Sequence, residues 1–510
     1  MRKILLGTTA VVGLALLAPV ANAQQARPAA RPAAAPAAPP PLPATSVAPA
    51  GTAAAIFQTP VGITGAGPHG ADGVPNRPET PMTSGIVVRL GGFFDFSVGN
   101  VSDSADSAVA SSRGAAAGVN NRLGRQRNDF RTEAELNVYV DGVAANGMRY
   151  GAMMEFQMDN MGGMDTGTAP VGSPATQYNP RGSNGSGTGV DLDELYGFVK
   201  GSWGELRFGQ EDNAQGLMRV APPGTLWLGV SSGWDEFVAQ PQSGLGGTAP
   251  YLMTEFQDGG DATKIIYLSP QFFGFDVGFS YAPNAGEGER TDVPTSNAVF
   301  QRDRTGVMNA MAGIIRYRGT FGDFGVRASF GALQADSAQT SVGATATVPE
   351  RSAVRTQNLT MYSAGLLVAA YGFQVGGEYA WGNYRDQMTS TINPKLDGSD
   401  HWILGATYTF GAWQFGGQYG VAKQDNGTNS AGIDFKDREQ TYWGLGLQYT
   451  MAPGLVLFAN YNQIKDDNIL TAAPAVAGTG VTSFGSLATF KNGSFTRDID
   501  VLMAGVRVAF

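Results

Sequence analysis

The sequence predicts an all-β fold, a closed transmembrane barrel of sixteen antiparallel strands. Three observations carry it: an N-terminal export leader, strict alternation of apolar and polar side chains from Ser84 onward, and connections that are alternately short and long.

The leader comes first. Arg2 and Lys3 make a basic start, Ile4 to Val20 is an apolar run, and Ala21-Asn22-Ala23 is a small-residue cleavage motif. Residues 1–23 are therefore expected to be a cleaved signal peptide, with a mature chain that starts at Gln24 and works in the cell envelope or beyond. The chain has no cysteine, which excludes a disulfide-stapled scaffold, thiolate metal sites and a lipidated cysteine anchor. After the leader no window approaches the roughly 18 continuous apolar residues of a membrane helix, and the mean hydropathy is −0.11. A helical membrane protein is excluded on these grounds. A soluble globule fits poorly as well, because only 15% of residues are charged where an average domain has about 25%. The 71 glycines and 10% aromatic residues suit β-hairpins instead. A net charge of −9 argues against nucleic acid, whose phosphates require clustered Lys and Arg.

Residues 24–83 open with QQARPAARPAAAPAAPPPLPA, where proline prevents helix and alanine supplies too little bulk for a core. This stretch is expected to be a disordered, extended periplasmic spacer. From residue 84 to 510 the pattern changes to that of strands with one apolar and one polar face. In the segment from Phe130, one face holds Phe130, Thr132, Ala134, Leu136, Val138 and Val140, and the other Arg131, Glu133, Glu135, Asn137, Tyr139 and Asp141. Met148 to Met158 repeats the alternation, and Asn146-Gly147 between them supplies the positive φ of a tight hairpin.

Continuing in this way gives strands near residues 85–99, 128–142, 148–159, 190–200, 205–210, 262–269, 275–282 and 307–318, then 324–331, 358–370, 373–382, 401–410, 413–420, 440–451, 455–462 and 497–510. Seven connections are short and eight are long, in alternation; Tyr371-Gly372 and Gly411-Ala412 are the tightest. Outer-membrane barrels have this asymmetry, short periplasmic turns against long extracellular loops, with an even strand count. Aromatics flank the short turns (Phe272, Phe275, Phe321, Phe324, Phe373, Trp413), and a second set (Tyr379, Trp381, Tyr419, Trp443, Tyr461) lies near the other strand ends. Two such belts are what a bilayer's headgroup layers would select.

Alternation does not say which face points inward. Size does, because sixteen strands enclose a space too wide for side chains to fill, so the polar face lines water and the apolar face meets lipid. The lumen would then carry Arg89, Asp95, Arg131, Glu133, Glu135, Arg149, Glu155, Arg207, Asp276, Arg316, Arg327, Gln374, Glu378, Gln414, Gln418 and Asn460.

Two local patterns and one spacing then carry a resemblance. They are the hairpin Glu194-Leu195-Tyr196-Gly197-Phe198-Val199-Lys200-Gly201-Ser202-Trp203-Gly204-Glu205-Leu206-Arg207-Phe208-Gly209-Gln210, the closing strand Val501 to Phe510, and the longest connection, Glu211 to Asp261, after the fifth strand. In these the chain resembles the trimeric general porins of Gram-negative bacteria, most closely the alphaproteobacterial type, over roughly residues 84–510. The resemblance implies an outer-membrane, water-filled channel for passive diffusion of ions and small polar solutes, with no enzymatic activity and no cofactor. It implies a homotrimer, a third loop folded into the channel, and a terminal Phe510 read by the barrel-assembly machinery.

That long connection holds seven acids against one base, Arg219. If it folds inward, Glu211, Asp212, Asp235 and Glu236 are expected to face wall arginines across the pore, with Arg131 and Arg207 foremost and Arg89, Arg149 and Arg327 behind them. Opposed charges in a narrow aqueous site create a transverse field that favours dipolar permeants. Arg122, Arg125 and Arg127 in the first outer loop could bind lipopolysaccharide phosphates.

Other functions find little support. Gly229-Val230-Ser231-Ser232-Gly233 matches a nucleophile elbow, yet it lacks the preceding strand and following helix that elbow needs, and only His69 and His401 exist as bases. Asp258 and Asp261 lack a calcium-ligand loop, and no nucleotide or metal motif occurs. A ligand-gated transporter would need a folded plug, which an Ala/Pro stretch cannot form. A substrate-specific porin for a sugar, amino acid or anion, and a non-conducting barrel acting as an adhesin, remain as alternatives.

Overall fold

The computed structural model describes residues 85–104, 127–159, 191–229, 234, 237–238, 262–284, 308–336, 339–341, 353–355, 358–383, 398–425, 436–470 and 494–510. The leader and the Ala/Pro stretch lie outside this set, as do Arg122, Arg125, Asp235 and Glu236. No described helix is long and apolar enough to cross a membrane.

The strands are β1 (Val87–Asp103), β2 (Asn128–Val143), β3 (Arg149–Asp159), β4 (Asp191–Gly201), β5 (Gly204–Gln210), β6 (Thr263–Leu268), β7 (Phe275–Asn284), β8 (Met308–Phe321) and β9 (Phe324–Asp336). They continue with β10 (Gln339–Ser341), β11 (Ala353–Arg355), β12 (Leu359–Ala370), β13 (Phe373–Asn383), β14 (Ser399–Phe410), β15 (Trp413–Gln424), β16 (Arg438–Ala452), β17 (Leu455–Leu470) and β18 (Ser494–Ala509). Strands β10 and β11 pair only with each other, and the other sixteen form one closed antiparallel barrel in chain order. The seam closes where β18 pairs with β1, from Phe93 opposite Ala509 to Asp103 opposite Ile499. Beyond it Phe510 and Gly92 exchange both backbone hydrogen bonds, at 3.0 and 3.1 Å. Closure leaves the barrel sheet no free edge, as a hydrocarbon surround demands.

The short connections are tight for local reasons. Tyr371 and Gly372, with φ of 52° and 84°, join β12 to β13, and two positive φ values match the right-handed twist of a hairpin. The outer face is apolar over the body of the wall, with exposed charges such as Lys423 and Lys465 toward the long-loop ends. On β1 it presents Leu90, Phe94 and Val98, and on β14 Leu404, all exposed. Rings pair across neighbouring strands near both ends of the wall: Phe373 lies 4.3 Å from Tyr408 and Trp413 4.5 Å from Tyr449 beside the short turns, while Tyr362 lies 5.7 Å from Trp381 and Trp443 5.0 Å from Tyr461 toward the long loops.

The inner face is not uniformly polar, which differs from expectation. Strands β14 to β18 and β1 present Ile403, Ala422, Tyr442, Phe458, Ile464, Ile499, Val501, Met503 and Val101 inward, in one buried apolar cluster. On β18 Leu502 points out while Val501 and Met503 point in, so both faces there are apolar. The reason lies in the loop that follows β5.

Candidate channel constriction

Strand β5 has only 7 residues and β6 only 6, so the wall between them ends early and the chain leaves it within the barrel. A five-residue helix, α1 (Ala214–Met218), follows at once, capped by Asn213, whose side-chain oxygen accepts from the N–H groups of Gln215 (2.9 Å) and Gly216 (3.0 Å). Its apolar residues Ala214, Leu217 and Met218 pack on Ile266 of β6 and Ile314 of β8.

From α1 the loop follows the inner wall. The Ala214 N–H donates to Ser280 Oγ of β7 (3.1 Å), the Gln215 amide to Ser363 of β12 (3.1 Å) and the Val220 N–H to Ser329 Oγ of β9 (2.8 Å). Arg219 forms an ion pair with Glu378 of β13 (2.8 Å). Farther on, the Pro223 carbonyl accepts from Gln418 of β15, the Leu226 N–H donates to Gln448 of β16, and the Leu226 carbonyl accepts from Asn460 of β17. These partners all belong to the polar face, so this stretch of the loop lies inside the barrel.

Glycine makes that close approach possible. A Cβ on Gly365 of β12 would collide with the Val220 carbonyl, one on Gly405 of β14 with the Pro223 carbonyl, and one on Gly446 of β16 with the Thr225 hydroxyl. Inward-facing glycines thus form a track in which the loop backbone is seated.

The track ends at Trp227, which has a left-handed backbone (φ 59°), a conformation that costs about 1–3 kcal/mol for such a residue and persists only where surrounding contacts impose it. Those contacts are explicit. The indole N–H donates to Asp95 of β1 at 2.8 Å, and the guanidiniums of Arg131 (5.1 Å) and Arg507 (4.9 Å) lie over its ring. Arg507 also grips Asp95 through two hydrogen bonds. Next to this latch, Leu226, Trp234 and Val238 fill the apolar cluster of the wall, with Trp227 and Phe237 packed against it. The inward apolar residues of β14 to β18 are therefore a socket for the loop.

The residues expected at the constriction fall into separate places. Glu211 is fully buried and meets Arg207 at 2.7 Å, and Arg207 also bonds Glu205 at 2.7 Å and lies 4.9 Å over the Tyr196 ring. This is a contact pair on one side of the barrel in place of the expected opposition across a gap, because Glu211 follows β5 directly and lies four residues from Arg207. Asp212 is buried beside it, its N–H directed at the Glu211 carboxylate. Lys264 of β6 donates to the Glu211 carbonyl. Arg131 is buried in an ion pair with Glu133. Arg89 pairs with Asp141 at 2.8 Å near the start of β1, and Arg149 opens β3 after the Asn146-Gly147 turn, so both lie beside the short turns. Arg327 is buried on β9, opposite Arg318 in register. Phe510 is exposed on the outer surface at the seam.

Sequence reasoning did not single out Trp227, Arg507, the Arg219–Glu378 pair or the glycine track. The signal for the track was present, as glycines on the lumen face of many successive strands; the latch joins residues 132 apart in sequence and left none.

An apolar outer wall, an inner wall that is polar outside the loop's apolar socket, and a loop that narrows the interior define the class, a membrane channel built as a barrel. The chain matches the family described as Gram-negative porin over residues 10–469. It belongs to that family and is an outer-membrane channel. Among solved structures it is similar to an anion-selective porin from Comamonas acidovorans, at 16% identity over 84% of this chain and 100% of that one, with a TM-score of 0.47. It is also similar to a porin refined at 1.8 Å resolution, at 15% identity over 83% of this chain and 100% of that one (TM-score 0.45). A third is the trimer form of in-vitro-folded OmpT, an outer membrane protein of Vibrio cholerae, at 13% identity over 83% of this chain and 99% of that one (TM-score 0.43). No curated protein matches the chain.

Proposed function

We propose that this porin is a passive, water-filled diffusion channel for ions and small polar solutes, without enzymatic activity, whose inward loop sets the size limit. The single observation that supports this most is the seating of residues 214–227 along the lumen wall by hydrogen bonds to several strands, which narrows the passage. In this proposal Arg131, Arg207, Glu211 and Asp212 contribute to the field at the narrowing, as do Asp235 and Glu236. Arg89 and Arg149 act at the periplasmic mouth and Arg327 on the wall.

The same proposal includes a cleaved leader over residues 1–23, a periplasmic spacer over 24–83 and recognition of Phe510 by the assembly machinery. It takes the assembled unit to be a homotrimer of the alphaproteobacterial type, and the broad apolar outer face suits contact with lipid, lipopolysaccharide and neighbouring copies alike. Planar-bilayer recording of purified protein tests the channel. Stable, ohmic current steps are expected; folded protein that inserts and conducts nothing would refute it.

A further inference from the structure

The loop's hydrogen bonds run along β7, β9, β12, β13, β15, β16 and β17 and end at Asp95 of β1. Past Asp95 the barrel continues through the inner faces of β2, β3 and β4. They carry Glu133, Glu135, Glu155 and Glu194, each no more than 5% exposed, and the cation on the β2 stretch, Arg131, closes on Glu133. Asn137 stands directly opposite Glu155 in the β2–β3 register, and Glu135 opposite Gln157.

A second observation gives this acidic strip a ligand chemistry. Glu135 and Asn137 are neighbours on the same face of β2, 4% and 6% exposed, and Oε2 of the one and Oδ1 of the other accept no hydrogen bond. Leaving such a buried acceptor without a donor is unfavourable. A carboxylate and an amide oxygen that both lack a donor call for a donor-rich cation. Among the described residues no three acidic or histidine side chains are close enough together to hold a metal ion, so the geometry suits an extended cation over a chelated one.

We propose that the β2–β4 strip binds organic cations bearing several N–H donors, guanidinium above all, and so makes this wall the cation-selecting element of the pore. The proposal rests on the channel reading above. Guanidinium presents a planar fork of donors that can serve a carboxylate and an adjacent acceptor together through directional, charge-assisted hydrogen bonds, whereas potassium offers an undirected point charge.

The test is block of potassium current by millimolar guanidinium chloride in planar bilayers of the full-length protein, with reversal potential measured in a potassium chloride gradient. The wild-type channel is expected to be cation-selective and blocked. Glu135→Gln removes one charge-assisted contact and should weaken block about tenfold and shift the reversal potential toward anions. Asn137→Asp adds a carboxylate at the same place and should move both readouts the opposite way, which protects the test against a Glu135 variant that folds poorly. Equal block in all three proteins, or no block in an open channel, overturns the strip and leaves the pore standing. Absence of any current from folded wild-type protein overturns the pore itself.

Discussion

Replacing Trp227 by Ala tests whether the loop is latched as described. The substitution deletes a hydrogen bond to an ionised carboxylate, worth about 1.5–3 kcal/mol, and two cation–π contacts worth about 0.5–2 kcal/mol each in a partly desolvated setting. Relief of the left-handed backbone returns little, because Ala at φ 59° is strained too. Taking values near the lower ends, docking of the loop tip weakens by about 3 kcal/mol, a shift of about a hundredfold between docked and released tip. The barrel should keep its thermal stability, since the Asp95–Arg507 pair and every strand ladder remain. Single-channel recording should show larger and noisier conductance, and limited proteolysis should cut the loop faster. Trp227→Phe keeps the ring stacking, loses only the N–H donor and should fall between. Conductance, noise and cleavage rate all equal to wild type would refute the latch.

Gly365→Val or Gly446→Val should lift the loop from its track, because the new side chain occupies the place of the Val220 carbonyl or the Thr225 hydroxyl; liposome-swelling rates for disaccharides will register the change. Arg219→Gln leaves Glu378, whose side chain is 2% exposed, without this partner, a loss of about 3–5 kcal/mol for a buried pair; chemical denaturation of the loop's tryptophan fluorescence should show it. Replacing Asp235 and Glu236 together with Asn and Gln should move the reversal potential toward anions, and an unchanged value would remove both from the narrowing. Deletion of Phe510 should lower the yield of folded barrel in outer-membrane fractions, since it removes the backbone pairing with Gly92 and the proposed assembly signal.

Much of the wall was legible because a strand between water and lipid must alternate, and the short turns punctuate it. Strands β12 and β13 fall within a residue of their expected limits. Strand β17 runs to Leu470, well past the expected 462, because it continues to pair with β18 through Lys465, Asp466 and Ile469, a stretch without the expected alternation. The β10–β11 hairpin, three residues a side, is too short to show any periodicity. Inside the barrel the equation of apolar with lipid-facing failed at Val501 and Met503, which face the loop. Arg131 and Arg207 were legible as lumen residues from alternation alone. Their partners were less so: Glu211 lies outside any strand pattern, and Trp227 meets Arg131 and Arg507 only after the chain has circled the wall.

The orientation of the two faces is directly measurable with nitroxides on single introduced cysteines in proteoliposomes, because the chain has no native cysteine. Val375 and Leu404 are exposed on the outer face, while Gln374 and Gln414 are half-buried on the inner one. Labels at 375 and 404 should be relaxed by oxygen, which concentrates in lipid, and labels at 374 and 414 by a water-soluble nickel chelate. The reverse pattern, or no difference between neighbouring positions 374 and 375, would contradict the account.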